Sequence, residues 1–373
     1  MISALPSDLV HVLARFAPGS TVALVRASQS LWTRFADDAH FWSSVVAAVQ
    51  TSRAGRALVR AHAAGVLARR PYVDHVVTLP VATMAPHFAL SQDGSTLACG
   101  HVRAIRIVHL DAALRARGYG RTMRMNEPIE QLAFSPSEAL LASRSSRAVE
   151  LCDCESWTRW RVVSLPQWSL LSLCFLPNDS IVAGSNTGGV AVFHPHTRSP
   201  PRDSWRVDSA AVHALASSRS LVAAGLGNGA VVLLDHEGRR QRTLTAHTCV
   251  VDVCFAPAAA EPDGALLVSA GRDGMARVWD TRSGACLRAH DFGGGWVVSV
   301  ALRDGMLAAL LDEARELRVV PVMGGAELKR VAAHAPVGVA LAPRGADGKG
   351  RALFAQREVG AVNLVEFVFT AAS

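Results

Sequence analysis

Six arginines are the residues of this chain best suited to chemistry: Arg103, Arg144, Arg147, Arg272, Arg315 and Arg357 fall in short turns between apolar runs. A guanidinium offers a planar fork of donors that matches a carboxylate or a phosphate in pairs. Gathered on one surface, such groups would clamp an acidic or phosphorylated peptide. His101 shares the first of these turns, while Glu313, Glu316 and Glu358 stand near the last two and would blunt the field there. The competing reading is a set of solvated turn arginines in an Arg-rich chain. The net charge is +7, and Lys occurs only at Lys329 and Lys349.

Other chemistry finds little to build on. No G-x-S-x-G elbow, P-loop or H-E-x-x-H motif is present. Cys152-x-Cys154 has no partners at zinc-site spacing. Gly227-Asn228-Gly229 and Gly293-Gly294-Gly295 fall in loops of a β pattern and open no helix, so they are not phosphate cradles. The expectation is a binding protein with no cofactor, no metal and no catalysis of its own. The seven cysteines include no C-x-x-C pair and lie mostly in apolar runs, as buried reduced thiols would.

The elements that must position these arginines repeat. The clearest unit, 248–290, reads as strand, PDG turn, strand, GRDG turn, strand, TRSG turn and strand. Its first-strand phrase recurs as HFALSQDG, QLAFSP, SLCFLP, VHALAS, VCFAP, VSVALRDG and GVALAP, and its third-strand phrase as AIRIVHL, AVELCD, GVAVFH, AVVLLD, ARVWD, LRVVP and VNLVEF. The spacing stays near ~40 to 46 residues, the period of propeller blades. By alignment, Arg103, Arg147, Gly188, Gly229, Arg315 and Gly360 take the place of Asp273 in the other units. The last unit stops after its third strand, and YVDHVVTLP (72–80) precedes the first strand without a unit of its own. Pairing the two closes a seven-unit ring and removes two open edges.

His247, Ser269, Asp273 and Trp279 of the clearest unit resemble the WD-repeat signature, in which four such residues hydrogen-bond across one blade. Ala-His at 246–247, 289–290 and 333–334 stands where that family usually has Gly-His. The resemblance implies blades whose loops and second-to-third-strand turns form a top rim around a central channel, with the turn arginines converging there.

The opening segment has a different periodicity. Leu5, Leu9, Val12, Leu13 and Phe16 share one helical face, Pro18-Gly19-Ser20 breaks it, and Leu24, Ser28, Leu31 and Phe35 form a second stripe. Asp38 can cap a third helix carrying Phe41, Trp42, Val45 and Val49. With Leu5-Pro6, Leu31-Trp32 and Phe41-Trp42 in place, residues 5–46 closely resemble the F-box family. That resemblance implies docking on the small adaptor subunit of a cullin-type (SCF-type) ubiquitin ligase, with Leu5, Pro6, Leu9, Leu13, Leu31, Trp32 and Trp42 at the contact. In F-box/WD-repeat proteins the propeller selects the substrate.

The expected architecture is thus α+β and multidomain. It comprises a three-helix F-box (1–50), an Ala- and Arg-rich helical linker (51–71) and an all-β seven-bladed WD-repeat propeller (72–373). The expected function is substrate recognition in an SCF-type ligase, with the adaptor, the cullin and a protein substrate as partners. The alternative is a propeller scaffold not assembled into an active ligase. The linker arginines could instead mark a nucleic-acid patch, but basic stretches without aromatics argue against it. Half the residues are hydrophobic and 18% charged, which favours a globular chain over a disordered one. The sequence shows no signal pattern and no membrane-length apolar run, so a cytoplasmic or nuclear protein is expected.

Overall fold

A computed structural model of the chain describes residues 76–79 and 87–368, except for 112–113, 115, 198–202, 246, 258–264, 294, 334–335, 345–348 and 357–360. The expected F-box helices and helical linker lie outside the described residues.

The described residues form seven four-stranded antiparallel sheets. The chain enters through β1 (Val76–Leu79). Blade 1 is β2 (His87–Leu90), β3 (Thr96–His101), β4 (Ala104–Leu110) and β5 (Ala116–Arg124). Blade 2 is β6 (Gln131–Phe134), β7 (Leu140–Arg144), β8 (Ala148–Asp153) and β9 (Thr158–Ser164). Blade 3 is β10 (Leu170–Phe175), β11 (Ile181–Ser185), β12 (Gly189–Phe193) and β13 (Asp203–Arg206). Blade 4 is β14 (Val212–Ser217), β15 (Val222–Leu226), β16 (Ala230–Leu234) and β17 (Arg240–Thr245). Blade 5 is β18 (Val250–Phe255), β19 (Leu266–Gly271), β20 (Met275–Asp280) and β21 (Cys286–Asp291). Blade 6 is β22 (Val297–Arg303), β23 (Met306–Leu311), β24 (Glu316–Pro321) and β25 (Lys329–Ala332).

Blade 7 contains β26 (Pro336–Leu341), β27 (Lys349–Gln356) and β28 (Ala361–Val368), and its outer strand is β1. Val77 pairs with Leu364 and Leu79 with Val362. The closure expected from the orphan segment and the missing fourth strand is therefore present. One stretch of chain removes two sheet edges that would otherwise be open to solvent.

Burial explains the sequence of the second strands. LLASR, IVAGS and VAAGL are buried at every residue, because both faces of the strand meet a neighbouring blade. Small residues let the sheets approach. At Gly184 in β11, an added Cβ would lie 2.7 Å from Val212 Cγ1 of blade 4. Seven apolar clusters result, and each joins two adjacent blades. Fully burying a leucine such as Leu97 or Leu151 contributes roughly 1.5–3 kcal/mol, so the ring draws its stability from contacts between blades.

A second inter-blade device lies on the outer rim. Arg121, Arg161, Arg242 and Arg288 occupy one position on the outer strands of blades 1, 2, 4 and 5, and Lys329 holds it in blade 6. Three of these arginines donate to backbone carbonyls in the third-to-fourth-strand turn of the next blade. Arg121 Nη1 reaches Ser156 O at 3.3 Å, Arg161 Nη1 reaches Pro195 O at 2.7 Å, and Arg242 Nη2 reaches Arg282 O at 2.8 Å. Arg288 lies against Gly324 of blade 6 in the same way. In blade 3 the indole of Trp205 does the job. It packs so tightly on Gly238 that a Cβ there would sit 2.3 Å from the ring.

In the outer strands of blades 2, 4 and 5, a β-bulge skips Trp160, Gln241 or Leu287 just before the rim arginine. A bulge re-aims the side chains beside it. Trp160 and Leu287 are consequently among the exposed large apolar residues.

Candidate functional site

The turns between second and third strands gather at one end of the ring, and backbone bonds fix them on two sides. The loop entering a blade accepts from the turn, as in Arg272 N–H to Cys249 O at 3.1 Å and Asp312 N–H to Trp296 O at 3.0 Å. The loop leaving the blade donates to the turn's last residue. Met125 donates to Arg103 O, Leu165 to Arg147 O, Val207 to Gly188 O, His247 to Gly229 O, Phe292 to Gly274 O and Ala333 to Arg315 O. These bonds correct the alignment read from sequence. Arg103, Arg147, Gly188, Gly229 and Arg315 correspond to Gly274, one residue beyond Asp273. Gly360 lies outside the described residues.

The position carries a steric demand. Gly229 has φ +88°, and a Cβ there would lie 1.7 Å from His247 O. Blade 6 spans its turn with one more residue than blade 5, and Arg315 takes φ +51° there.

Among the described residues the WD-type tetrad forms in blade 5. Trp279 Nε1–H donates to Ser269 Oγ at 2.9 Å, Ser269 Oγ lies 2.8 Å from His247 Nε2, and His247 Nδ1 lies 2.8 Å from Asp273 Oδ1. Burial pushes the His247 imidazole below its usual value against the pull of Asp273. A neutral ring then donates at Nδ1 and accepts at Nε2, which satisfies the whole chain of bonds. Burial would raise the Asp273 carboxyl, but bonds from Arg277 (2.7 Å) and His247 outweigh it and hold the group low. The Ala-His pair at 289–290 does not repeat this arrangement. His290 Nε2 instead meets Val322 O at 2.9 Å, and His334 lies outside the described residues.

The six expected substrate arginines separate on inspection. Arg103, Arg147, Arg272 and Arg315 are exposed on turns at the same end of the ring, and among the described residues none of the four is ion-paired. Arg357 lies outside the described residues. Arg144 corrects the reading, because it is the last residue of strand β7 and only 6% exposed. Its guanidinium pairs with Glu130 at 2.7 Å and donates to Leu170 O of blade 3 at 2.7 Å. A cation already held by a carboxylate and a carbonyl is a poor anion clamp.

First strands from all seven blades line a central cavity of about 330 Å³. Its wall includes Glu130, Gln131, Arg144, Ser172, His213, Asp252 and Ser299, set among apolar residues such as Phe88, Leu215 and Val337. Several of these groups bond across blades. Gln131 Nε2 donates to Leu173 O and Ser172 Oγ to Val212 O, each at 2.9 Å. Asp252 is the main example. It accepts from its neighbour's Val253 N–H and, across the blade boundary, from Ser299 Oγ and Val300 N–H, all at 2.9 Å. Burial nevertheless pushes its carboxyl up to about 6.

Sequence reasoning missed Asp252, His213, Trp296 and the rim cations. Trp296 is 42% exposed beside the entrance to β22, and the Arg272 guanidinium stacks on it at 4.1 Å. The rim cations carry a signal that sequence alone could have yielded, since one recurs about every forty residues. The thiols fit the reading in part. All seven are free, and Cys99, Cys152 and Cys174 are buried and pushed up to about 12, but Cys286 is exposed on β21.

Comparison with known proteins agrees with this geometry. The family model "WD domain, G-beta repeat" matches residues 238–280. That match begins before the outer strand of blade 4 and ends with the third strand of blade 5, so the sequence repeat straddles two blades. No curated protein matches the sequence. Among solved structures, a chain of "Crystal Structure of Mitotic Checkpoint Complex" aligns with TM-score 0.65 at 18% identity, covering 79% of this chain and 95% of that one. Matches extend to 1781 solved chains, so shape alone does not narrow the function. The chain is a seven-bladed β-propeller that carries a WD repeat.

Proposed function

We propose that this protein is the substrate-recognition subunit of an SCF-type ubiquitin ligase, with residues 1–50 docking on the small adaptor and the propeller holding the substrate. The WD repeat and the closed ring support its coarser part, a propeller scaffold for protein interactions. The observation that carries the finer part is the F-box-like pattern of residues 5–46 on the same chain as that ring. In this reading Leu5, Pro6, Leu9, Leu13, Leu31, Trp32 and Trp42 bury against the adaptor. The protein makes no thioester and transfers no proton. It raises the local concentration of substrate near the charged conjugating enzyme, which lowers the entropic cost of ubiquitin transfer.

The test is co-purification of adaptor and cullin with the intact protein. Both should be recovered with the wild type and lost with Leu5→Ala combined with Trp32→Ala. Failure of the wild type to recover the adaptor would leave a propeller scaffold outside any ligase, the competing reading.

A further inference from the structure

One boundary of the ring differs from the rest, because the chain does not run on across it. Blade 7 is joined to blade 1 by β1, which pairs with four residues of β28, while β27 pairs with all eight. A channel-side bond is missing there as well. Ser172, Asp252 and Ser299 each hold the first paired position after a bulge in an inner strand, and each ties its blade to the next. The register puts Gly338 at this position in blade 7. It has no side chain to bond with, and a Cβ there would meet only Phe88 of blade 1, at 3.8 Å.

Arg303, the last residue of β22, reaches this boundary from blade 6. The other blades carry Ser91, Ser135, Leu176, Ser218, Ala256 and Ala342 at its position, all short or apolar. Asp304 and Gly305 follow with φ +51° and +71°, as a tight two-residue hairpin turn requires. The Arg303 guanidinium passes the end of blade 7's inner strand. Its Nη1 donates to Leu341 O at 3.5 Å and its Nη2 to Gln92 O, in the first turn of blade 1, at 3.0 Å. One side chain thus touches three blades and joins residues 211 apart in sequence. Pro343 packs on the same turn. A Cβ on Gly94 would lie 3.0 Å from its Cδ, which leaves the turn little room to shift. Bonds from a charged donor are stronger than neutral ones, and a bond between the ends of the ring restrains the whole loop between them.

We propose that Arg303 is a strap across the closing seam, which keeps blades 7 and 1 together when β1 comes away from the edge of β28. The four-pair clasp is the part that opens first, as short edge strands do. It is continuous with residues 1–75, so a pull on that segment loads the clasp before the seam. With the strap in place the opening stays local, and the apolar cluster between blades 7 and 1 stays packed.

Cys99 supplies the readout. It is 1% exposed in the cluster that joins blade 1 to Leu353, Ala355, Val362 and Leu364 of blade 7, whereas Cys174 is buried between blades 3 and 4. The test is thiol labelling of the full-length native protein, followed residue by residue by mass spectrometry. When reclosing outruns labelling, the rate follows the open population. Val77→Pro with Thr78→Pro loosens the clasp, since one of the two removes a donor to β28 whichever way the strand faces. In that background Cys99 should stay far slower than in the denatured chain. Adding Arg303→Ala should then speed Cys99 roughly tenfold, as loss of a charge-assisted hydrogen bond predicts, and leave Cys174 unchanged. Arg303→Lys, which can hold one carbonyl but not both, should fall between. An unchanged Cys99 rate on adding Arg303→Ala, an equal rise at Cys174, or a clasp variant that alone labels Cys99 like the denatured chain would each overturn the proposal. Should the proline variant not fold, Arg303→Ala in the otherwise unchanged chain decides. The ratio of Cys99 to Cys174 labelling must rise, and a constant ratio rejects the strap.

Discussion

Arginine does two different jobs in this ring, and the contrast between the outer rim and the channel mouth shows how to tell them apart. On the rim, Arg121, Arg161 and Arg242 lean across a blade boundary and spend their donors on carbonyls of the neighbouring turn. At the mouth, Arg103, Arg147, Arg272 and Arg315 stand on turns already fixed by backbone bonds, and no carboxylate of the described residues pairs with them. The rim set holds blades together. The mouth set adds little to folding and is free to meet a partner. The same side chain with the same charge is structural where a neighbouring blade offers acceptors and available where the local backbone is already satisfied.

Backbone geometry gives the strongest way to break this contrast. Gly229 at the mouth and Gly238 at the rim both have positive φ, but a Cβ at Gly229 meets a backbone oxygen while one at Gly238 meets an indole ring that can turn. Gly229→Ala should therefore cost about 3 kcal/mol or more in urea unfolding, and Gly238→Ala measurably less.

The buried carboxylate in the channel comes next. The Asp252 carboxyl is raised from 3.8 to about 6 in the folded protein. Its protonated form is thus the one that folding favours. The stabilisation is fully present below about pH 4 and is lost as pH rises through about 6, a change of up to about 3 kcal/mol. The stability difference between the wild type and Asp252→Asn, followed from pH 4 to 7, should show this slope. A difference independent of pH would contradict the burial argument.

Arg144 and Arg147 offer a comparison three residues apart. Arg144→Ala leaves Glu130 and Leu170 O without their cation and should cost about 2 kcal/mol, whereas Arg147→Ala should stay within about 0.5 kcal/mol. Single rim substitutions fall between these two. Arg161→Ala or Arg242→Ala should each cost about 1 kcal/mol, because these hydrogen bonds lie in or near solvent. A thiol reagent should meanwhile modify Cys286 well before Cys99, Cys152 or Cys174 in the native protein.

How much of this was legible in the sequence depends on range. The seven units, the blade 5 tetrad and the closure by a strand ahead of the first unit (Val76–Leu79) were readable, because each shows itself within one repeat or at the two ends of the repeats. Arg144 was misplaced for a local reason, since strand β7 ends on it and a turn follows at once. The alignment slipped by one residue because the turns between second and third strands differ in length, and only the carbonyls accepting from the outgoing loops reveal equivalent positions. The rim cations went unread because their acceptors belong to the next blade. Asp252 looked like an ordinary strand residue, since what defines it is Ser299 on the neighbouring inner strand.

The central claim is that rim arginines hold the ring and mouth arginines do not. It is tested most directly by urea unfolding of two fourfold variants of the intact protein. Replacing Arg121, Arg161, Arg242 and Arg288 together by Ala should remove about 3–4 kcal/mol, since the sites are separate enough for their effects to add. Replacing Arg103, Arg147, Arg272 and Arg315 together by Ala should change stability by no more than about 1 kcal/mol, most of it the lost stacking on Trp296. Equal losses in the two variants, or a larger loss at the mouth, would contradict the account.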